Sequence, residues 1–112
     1  MATILIADDE RAIRALLKDA LLRAGHSVYE ASNGLEAVAI FRSYANDIDV
    51  IVMDMTMPVM NGAQAILRIR ETRPNVRVIC ISGFSDTEIP QGPFLQKPFS
   101  LGALVSLITE LL

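Results

Sequence analysis

Cysteine and histidine each occur once in this chain of 112 residues. A lone cysteine supplies neither a disulfide framework nor a zinc cluster. Cys80 also lies inside the apolar run 76–81, where it reads as a small buried hydrophobe rather than a nucleophile. His26 follows Gly25 at an expected helix end, which points to a capping or solvent role ahead of catalysis. A basic stripe is missing too. With a net charge of −3 and a pI of about 5.0, nucleic-acid binding through this domain is not expected. No apolar run approaches the roughly 18 residues of a membrane span. Asp8, Asp9 and Glu10 arrive too early for a secretory leader, so a cytoplasmic location with no membrane partner is the expectation. Repeats, low-complexity tracts and linkers are lacking. The length then argues for one domain over 1–112, and a 52% hydrophobic composition is ample for its core.

What the chain does contain is an alternation of short apolar runs and helical stripes. The runs at about 3–7, 27–31, 49–54 and 76–81 read as strands, and a short fifth strand precedes Lys97. Between the first two, Ile13, Leu16, Leu17, Ala20, Leu21 and Ala24 recur at spacings of three and four, and Gly25 stops that helix. Ser32-Asn33-Gly34 turns into a second helix whose buried stripe is Leu35, Val38, Phe41 and Ala45. A third helix is expected over about 63–72, ending before Pro74. The last, over about 100–111, should bury Leu101, Leu104, Val105, Ile108 and Leu111. Such alternation implies an α/β fold, a doubly wound parallel sheet with helices on both faces.

Charge falls at the ends of these strands. Asp8 and Asp9 follow the first, Asp54 closes the third, and Lys97 follows the fifth. In the order 2-1-3-4-5, strand one lies beside strand three, and these groups meet at the switch point where open α/β sheets bind ligands. Three clustered carboxylates repel unless neutralised. Magnesium, a hard cation that takes carboxylates, phosphate oxygens and water, suits them. Asp54 can then act as a nucleophile toward phosphorus, with Lys97 pairing the phosphoryl oxygens. Ser82, at the end of strand four, can offer its hydroxyl to the same oxygens. Plainer readings exist for each residue: Asp8 or Asp9 as a helix N-cap, Ser82 as a turn serine, Lys97 as a solvated lysine. The four positions in register argue against all of them at once.

The whole chain resembles the receiver domains of two-component response regulators. The matching residues are Asp8-Asp9, the run from Asp54 through Met57-Pro58 to Met60-Asn61-Gly62, Ser82-Gly83, and Lys97-Pro98-Phe99. Flavodoxin and this family share the order 2-1-3-4-5, so the order is not independent of the resemblance. The resemblance implies that Asp54 accepts a phosphoryl group from a histidine kinase or a histidine phosphotransfer domain. It implies Mg²⁺ held directly by Asp9 and Asp54, through water by Asp8, and by the Thr56 carbonyl. Ser82 and Lys97 would contact the phosphoryl group, Ser82 and Phe94 would act as the switch pair, and Thr56 and Phe84 would tune the lifetime of the phosphorylated form. Lys97-Pro98 would be a cis peptide. The runs around Ser82 and Lys97 look similar to the C-terminal receivers of hybrid histidine kinases, and any kinase activity would then lie outside this chain.

The pattern has departures. Ser82 replaces the more usual threonine. The segment 83–96 is short, and Pro90, Gly92 and Pro93 oppose a helix there despite the S-x-x-E spacing of Ser85 to Glu88. The fourth helix of the fold is therefore expected to be shortened or missing. That would leave the surface of helix four, strand five and helix five for a partner or for a second copy in a homodimer. Competing functions are weaker. A flavin module wants a glycine- and hydroxyl-rich loop where this chain has Asp8-Asp9-Glu10. An aspartate-nucleophile phosphatase wants an acid where it has Thr56. A degenerate receiver acting only as an interaction module should have an incomplete acidic site.

Overall fold

The computed structural model describes residues 1–83 and 93–112. Five parallel strands form one sheet in the order β2-β1-β3-β4-β5. They are β1 (Thr3–Ala7), β2 (Ser27–Ala31), β3 (Val50–Asp54), β4 (Arg77–Ser82) and β5 (Phe94–Gln96). The helices are α1 (Arg11–Arg23), α2 (Gly34–Tyr44), α3 (Gly62–Thr72) and α4 (Leu101–Leu111). Residues 84–92 lie outside the described residues, and with them the expected shortening of the family's fourth helix and the position of Phe84.

Two cores follow from the pleat, because successive residues of a strand face opposite sides. On one side Leu5, Ala7, Ile51, Met53, Val78 and Cys80 pack with the α2 and α3 stripes. On the other Ile4, Ile6, Val50, Val52, Ile79 and Ile81 meet α1 and α4. The central strands are buried on both faces, which is why they read as unbroken apolar runs. Cys80 is buried as expected, and burial pushes its thiol above the ordinary value.

The helix ends are chemically specified. Asn33 accepts the Glu36 N–H at 2.8 Å to open α2. Asn61 and Gln64 form a reciprocal capping box on α3, satisfying two otherwise orphaned donors. Ser100 Oγ accepts the Ala103 N–H at 3.0 Å to open α4. Gly25, with φ of +91°, ends α1, and the His26 N–H reaches back to the Leu21 carbonyl at 3.0 Å.

Several expectations need correction. Leu35 was expected in the α2 stripe but is exposed. The stripe that meets the sheet is Gly34, Ala37, Val38 and Phe41, and Leu35 is one residue, about 100°, out of phase with it. Leu101 was expected to be buried and is exposed, as is Leu16 of α1. Both line a groove between α1 and the start of α4, off the sheet-facing side of either helix. The side chain of His26 neither caps nor meets solvent. It is buried, and its Nδ1 accepts the Ala2 N–H at 3.0 Å, fastening the chain just ahead of β1.

Candidate functional site

The carboxyl ends of β1, β3 and β5 bring the charged residues together. Asp8 is fully buried. Its Oδ1 accepts the Glu10 N–H at 2.9 Å, and its Oδ2 accepts from Lys97 Nζ at 3.0 Å. Asp54 is buried as the last residue of β3, and its Oδ1 accepts the Thr56 N–H at 3.1 Å. Lys97 Nζ reaches Asp54 Oδ2 at 3.4 Å and Glu10 Oε1 at 3.7 Å. Asp9 is exposed, yet one oxygen from each of Asp8, Asp9 and Asp54 lies within 4.8 Å of the others. Neither member of the Asp8-Asp9 pair is the N-cap of α1. That position is held by Glu10, whose side chain makes no capping bond.

Like charges crowd this cluster. Burial raises the Asp54 carboxyl to about 6, and the neighbouring Asp8 charge adds to the rise; the Thr56 N–H and Lys97 oppose it. Burial alone would lower the Lys97 ammonium, but its bond to Asp8 and the charges of Asp54 and Asp8 outweigh that and hold it above its usual value. Oxygen-only donors of this density fit a small hard dication and do not fit a soft metal. A cavity of about 210 Å³ opens over the cluster, lined by Asp9, Glu10, Asp54, Thr56, Gly83 and Lys97.

The scaffold fixes the position of Asp54 closely. The Met55 N–H donates to the Ile81 carbonyl at 2.9 Å, tying the chain after Asp54 to β4. A Cβ on Gly62 would fall 2.5 Å from the Asp54 carbonyl oxygen and 2.8 Å from Met55 Cα. Only glycine lets α3 start so near the strand end. In the same loop, the Met60 carbonyl accepts the Gly34 N–H at 3.0 Å, and a Cβ on Gly34 would fall 2.3 Å from that oxygen. Val59 sits between these anchors with φ of +69°, a conformation that a β-branched residue rarely adopts.

Ser82 is buried at the end of β4, and its carbonyl accepts the Lys97 N–H at 2.7 Å. Lys97-Pro98 is cis, as expected. Phe94 opens β5 half-buried, packed with the core on the α2 and α3 side. The side chain of Thr56 is exposed at the cavity rim. Sequence reasoning passed over Glu10. Its signal was adjacency to the acidic pair, but only the turn after β1 aims its carboxylate at Lys97.

The fold and site define a phospho-accepting signalling module with the topology of receiver domains. A profile of the response regulator receiver domain matches residues 4–109, and the chain belongs to that family. It is 34% identical to the sensor kinase CckA of Brucella abortus (strain 2308) over 99% of this chain and 12% of that protein. It is 36% identical to the chemotaxis protein CheY of Thermotoga maritima, covering 96% of this chain and 94% of that protein. Among solved structures, the response regulator protein TrrA of Thermotoga maritima in complex with Mg(2+)-BeF superposes with a TM-score of 0.86. That match is at 27% identity and covers all of both chains. The chain thus spans about an eighth of the sensor kinase and nearly all of the chemotaxis protein. It is a receiver domain of two-component phosphorelay signalling, a class of signalling modules that are generally not enzymes. Among the described residues, no helix is long and apolar enough to cross a membrane.

Proposed function

We propose that Asp54 is the phosphoacceptor and that Asp8, Asp9, Asp54 and the Thr56 carbonyl hold Mg²⁺. The observation that carries this is Lys97 Nζ, poised 3.0 Å from Asp8 and 3.4 Å from Asp54, beside three carboxylates whose oxygens lie within 4.8 Å of one another. When bound, Mg²⁺ supplies charge neutralisation for the carboxylates and for the incoming phosphoryl oxygens. The chain does the rest. The Thr56 N–H holds one Asp54 oxygen, leaving the other on the Lys97 side as the nucleophile. Lys97 leaves its carboxylate partners to pair with the transferred group, while Ser82 contacts another phosphoryl oxygen.

The donor is a phosphohistidine on a histidine kinase or a histidine phosphotransfer domain. Phosphorylation adds about −1.5 to −2 charges at the end of β3. That charge draws Ser82 and Lys97 inward and biases Phe94, which shares β5 with the residues leading to Lys97. Thr56, and Phe84 outside the described residues, set the lifetime of the acyl phosphate, since neither carries an acid or amide to orient water. The domain works in the cytoplasm, without nucleic acid or membrane contact of its own. It catalyses only its own phosphorylation and dephosphorylation. Leu101 at the start of α4 and Leu112 just past its end are exposed apolar side chains that a partner or a second copy could cover. The low share of the sensor kinase that it spans is consistent with a hybrid-kinase receiver.

Incubation with a small phosphodonor and Mg²⁺ tests the assignment. The expected result is one alkali-labile phosphoryl group on the wild type and none on Asp54→Asn. Label persisting in that variant would move the acceptor elsewhere.

A further inference from the structure

Among the described residues, Glu10 is the one acidic side chain of the site that the metal cluster does not account for. The oxygens that converge within 4.8 Å belong to Asp8, Asp9 and Asp54. Glu10 instead reaches Lys97 Nζ at 3.7 Å from the solvent side, with 62% of its side chain exposed. It lines the 210 Å³ cavity over Asp54. It also lines the adjoining groove of about 430 Å³ formed by Ile13, Leu16, Pro98, Phe99 and Leu101, so it stands where the two openings meet. Its backbone caps α1, and its side chain contributes nothing to that cap.

The charges of the site decide what this position does. Among the described residues, four carboxylates face one ammonium. A dication leaves a net single negative charge, and the carboxylate outside the cluster is Glu10. An incoming donor therefore meets a negative charge at the mouth of an otherwise neutralised site.

We infer that Glu10 is a specificity-determining residue that selects phosphodonors by charge, disfavouring highly anionic small molecules. This rests on the reading of Asp54 as acceptor. In the reaction an Asp54 oxygen forms a bond to phosphorus as the donor's bond breaks. Acetyl phosphate, doubly charged at neutral pH, releases acetate, which keeps the electron pair of the broken P–O bond. Phosphoramidate, singly charged with its nitrogen already protonated, releases ammonia with the electron pair of the P–N bond. Both give the same aspartyl phosphate, so the donor's charge is the variable that Glu10 senses.

The experiment compares labelling rates with the two donors at saturating Mg²⁺ for wild type, Glu10→Gln and Glu10→Lys. At a separation of about 6 Å in water, one unit charge changes the rate by about threefold per unit of donor charge. Glu10→Gln should therefore speed acetyl phosphate about tenfold and phosphoramidate about threefold, and Glu10→Lys should extend both trends. High salt should compress the differences, since the interaction is solvent-exposed. An unchanged ratio of the two rates, or a reversal between the Gln and Lys variants, overturns the inference. Equal loss with both donors also overturns it and makes Glu10 a support for Lys97. Wild type that takes no label from either donor fails the acceptor reading itself, which separates the two failures.

Discussion

Replacing Asp54 by asparagine should make the metal-free protein more stable at neutral pH, although it removes the residue on which function is proposed to depend. The Asp54 carboxyl rises from 3.8 to about 6 on folding, chiefly through burial and secondarily through Asp8. The folded state then binds a proton that the unfolded state has already released, so stability falls as pH rises through that window. The penalty is absent well below 3.8 and complete above about 6. At about 1.36 kcal/mol per pH unit, the shift corresponds to a ceiling of about 3 kcal/mol at neutral pH. Asparagine keeps an oxygen for the Thr56 N–H but gives up the attraction of Lys97, so the net gain should be about 1–3 kcal/mol. Urea titration with a chelator present measures it. With a slope of about 1–3 kcal/mol/M, the midpoint should rise by about 1 M near pH 7.5. Near pH 4 most of that difference should vanish. A variant less stable than wild type at neutral pH, or a gain that is the same at both pH values, would refute the argument that buried charge governs this site.

Other outcomes follow from the same geometry. Mg²⁺ should raise the melting temperature of wild type by mass action, and Asp9→Asn should lose most of that rise; an equal rise in both proteins would place the metal elsewhere. Gly62→Ala must displace backbone at Asp54 and Met55. A loss of about 1–3 kcal/mol with slower labelling is expected, and unchanged labelling would show that the loop absorbs the clash without moving the acceptor. Val59→Gly relieves a left-handed β-branched residue, so stability should hold or rise by up to about 1 kcal/mol, as read by the urea midpoint. Lys97→Ala should still accept label on Asp54 but respond weakly to it, which exchange of the β5 amides would follow.

The strands were legible because a parallel sheet covered on both faces demands uninterrupted apolar runs, and the carboxyl ends of those runs already place Asp8, Asp54 and Lys97. Helix phase was legible only in part. The stripe logic found Leu17, Leu21, Val38 and Phe41 but enlisted Leu16, Leu35 and Leu101, because spacing alone does not say which edge of an apolar arc meets the sheet. His26 and Glu10 escaped for another reason. Each acts through a partner remote in sequence, Ala2 across 24 positions and Lys97 across most of the chain, and nothing local announces such a pairing. Likewise Gly34 looked like a turn glycine. Its actual constraint, the Met60 carbonyl, belongs to a loop after the next strand.

The three-residue length of β5 has a consequence for timing. Asp54 ends a strand buried along its whole length, whereas Lys97 follows an edge strand that is half-buried and paired only with the end of β4. Asp54 and Lys97 therefore belong to units of unequal local stability. The edge can open and close while the centre stays folded, so its amides should exchange with solvent well before those of β1 and β3. A site built this way keeps the Asp54 carboxylate in place. The Lys97 ammonium, by contrast, moves on the clock of a three-residue edge strand.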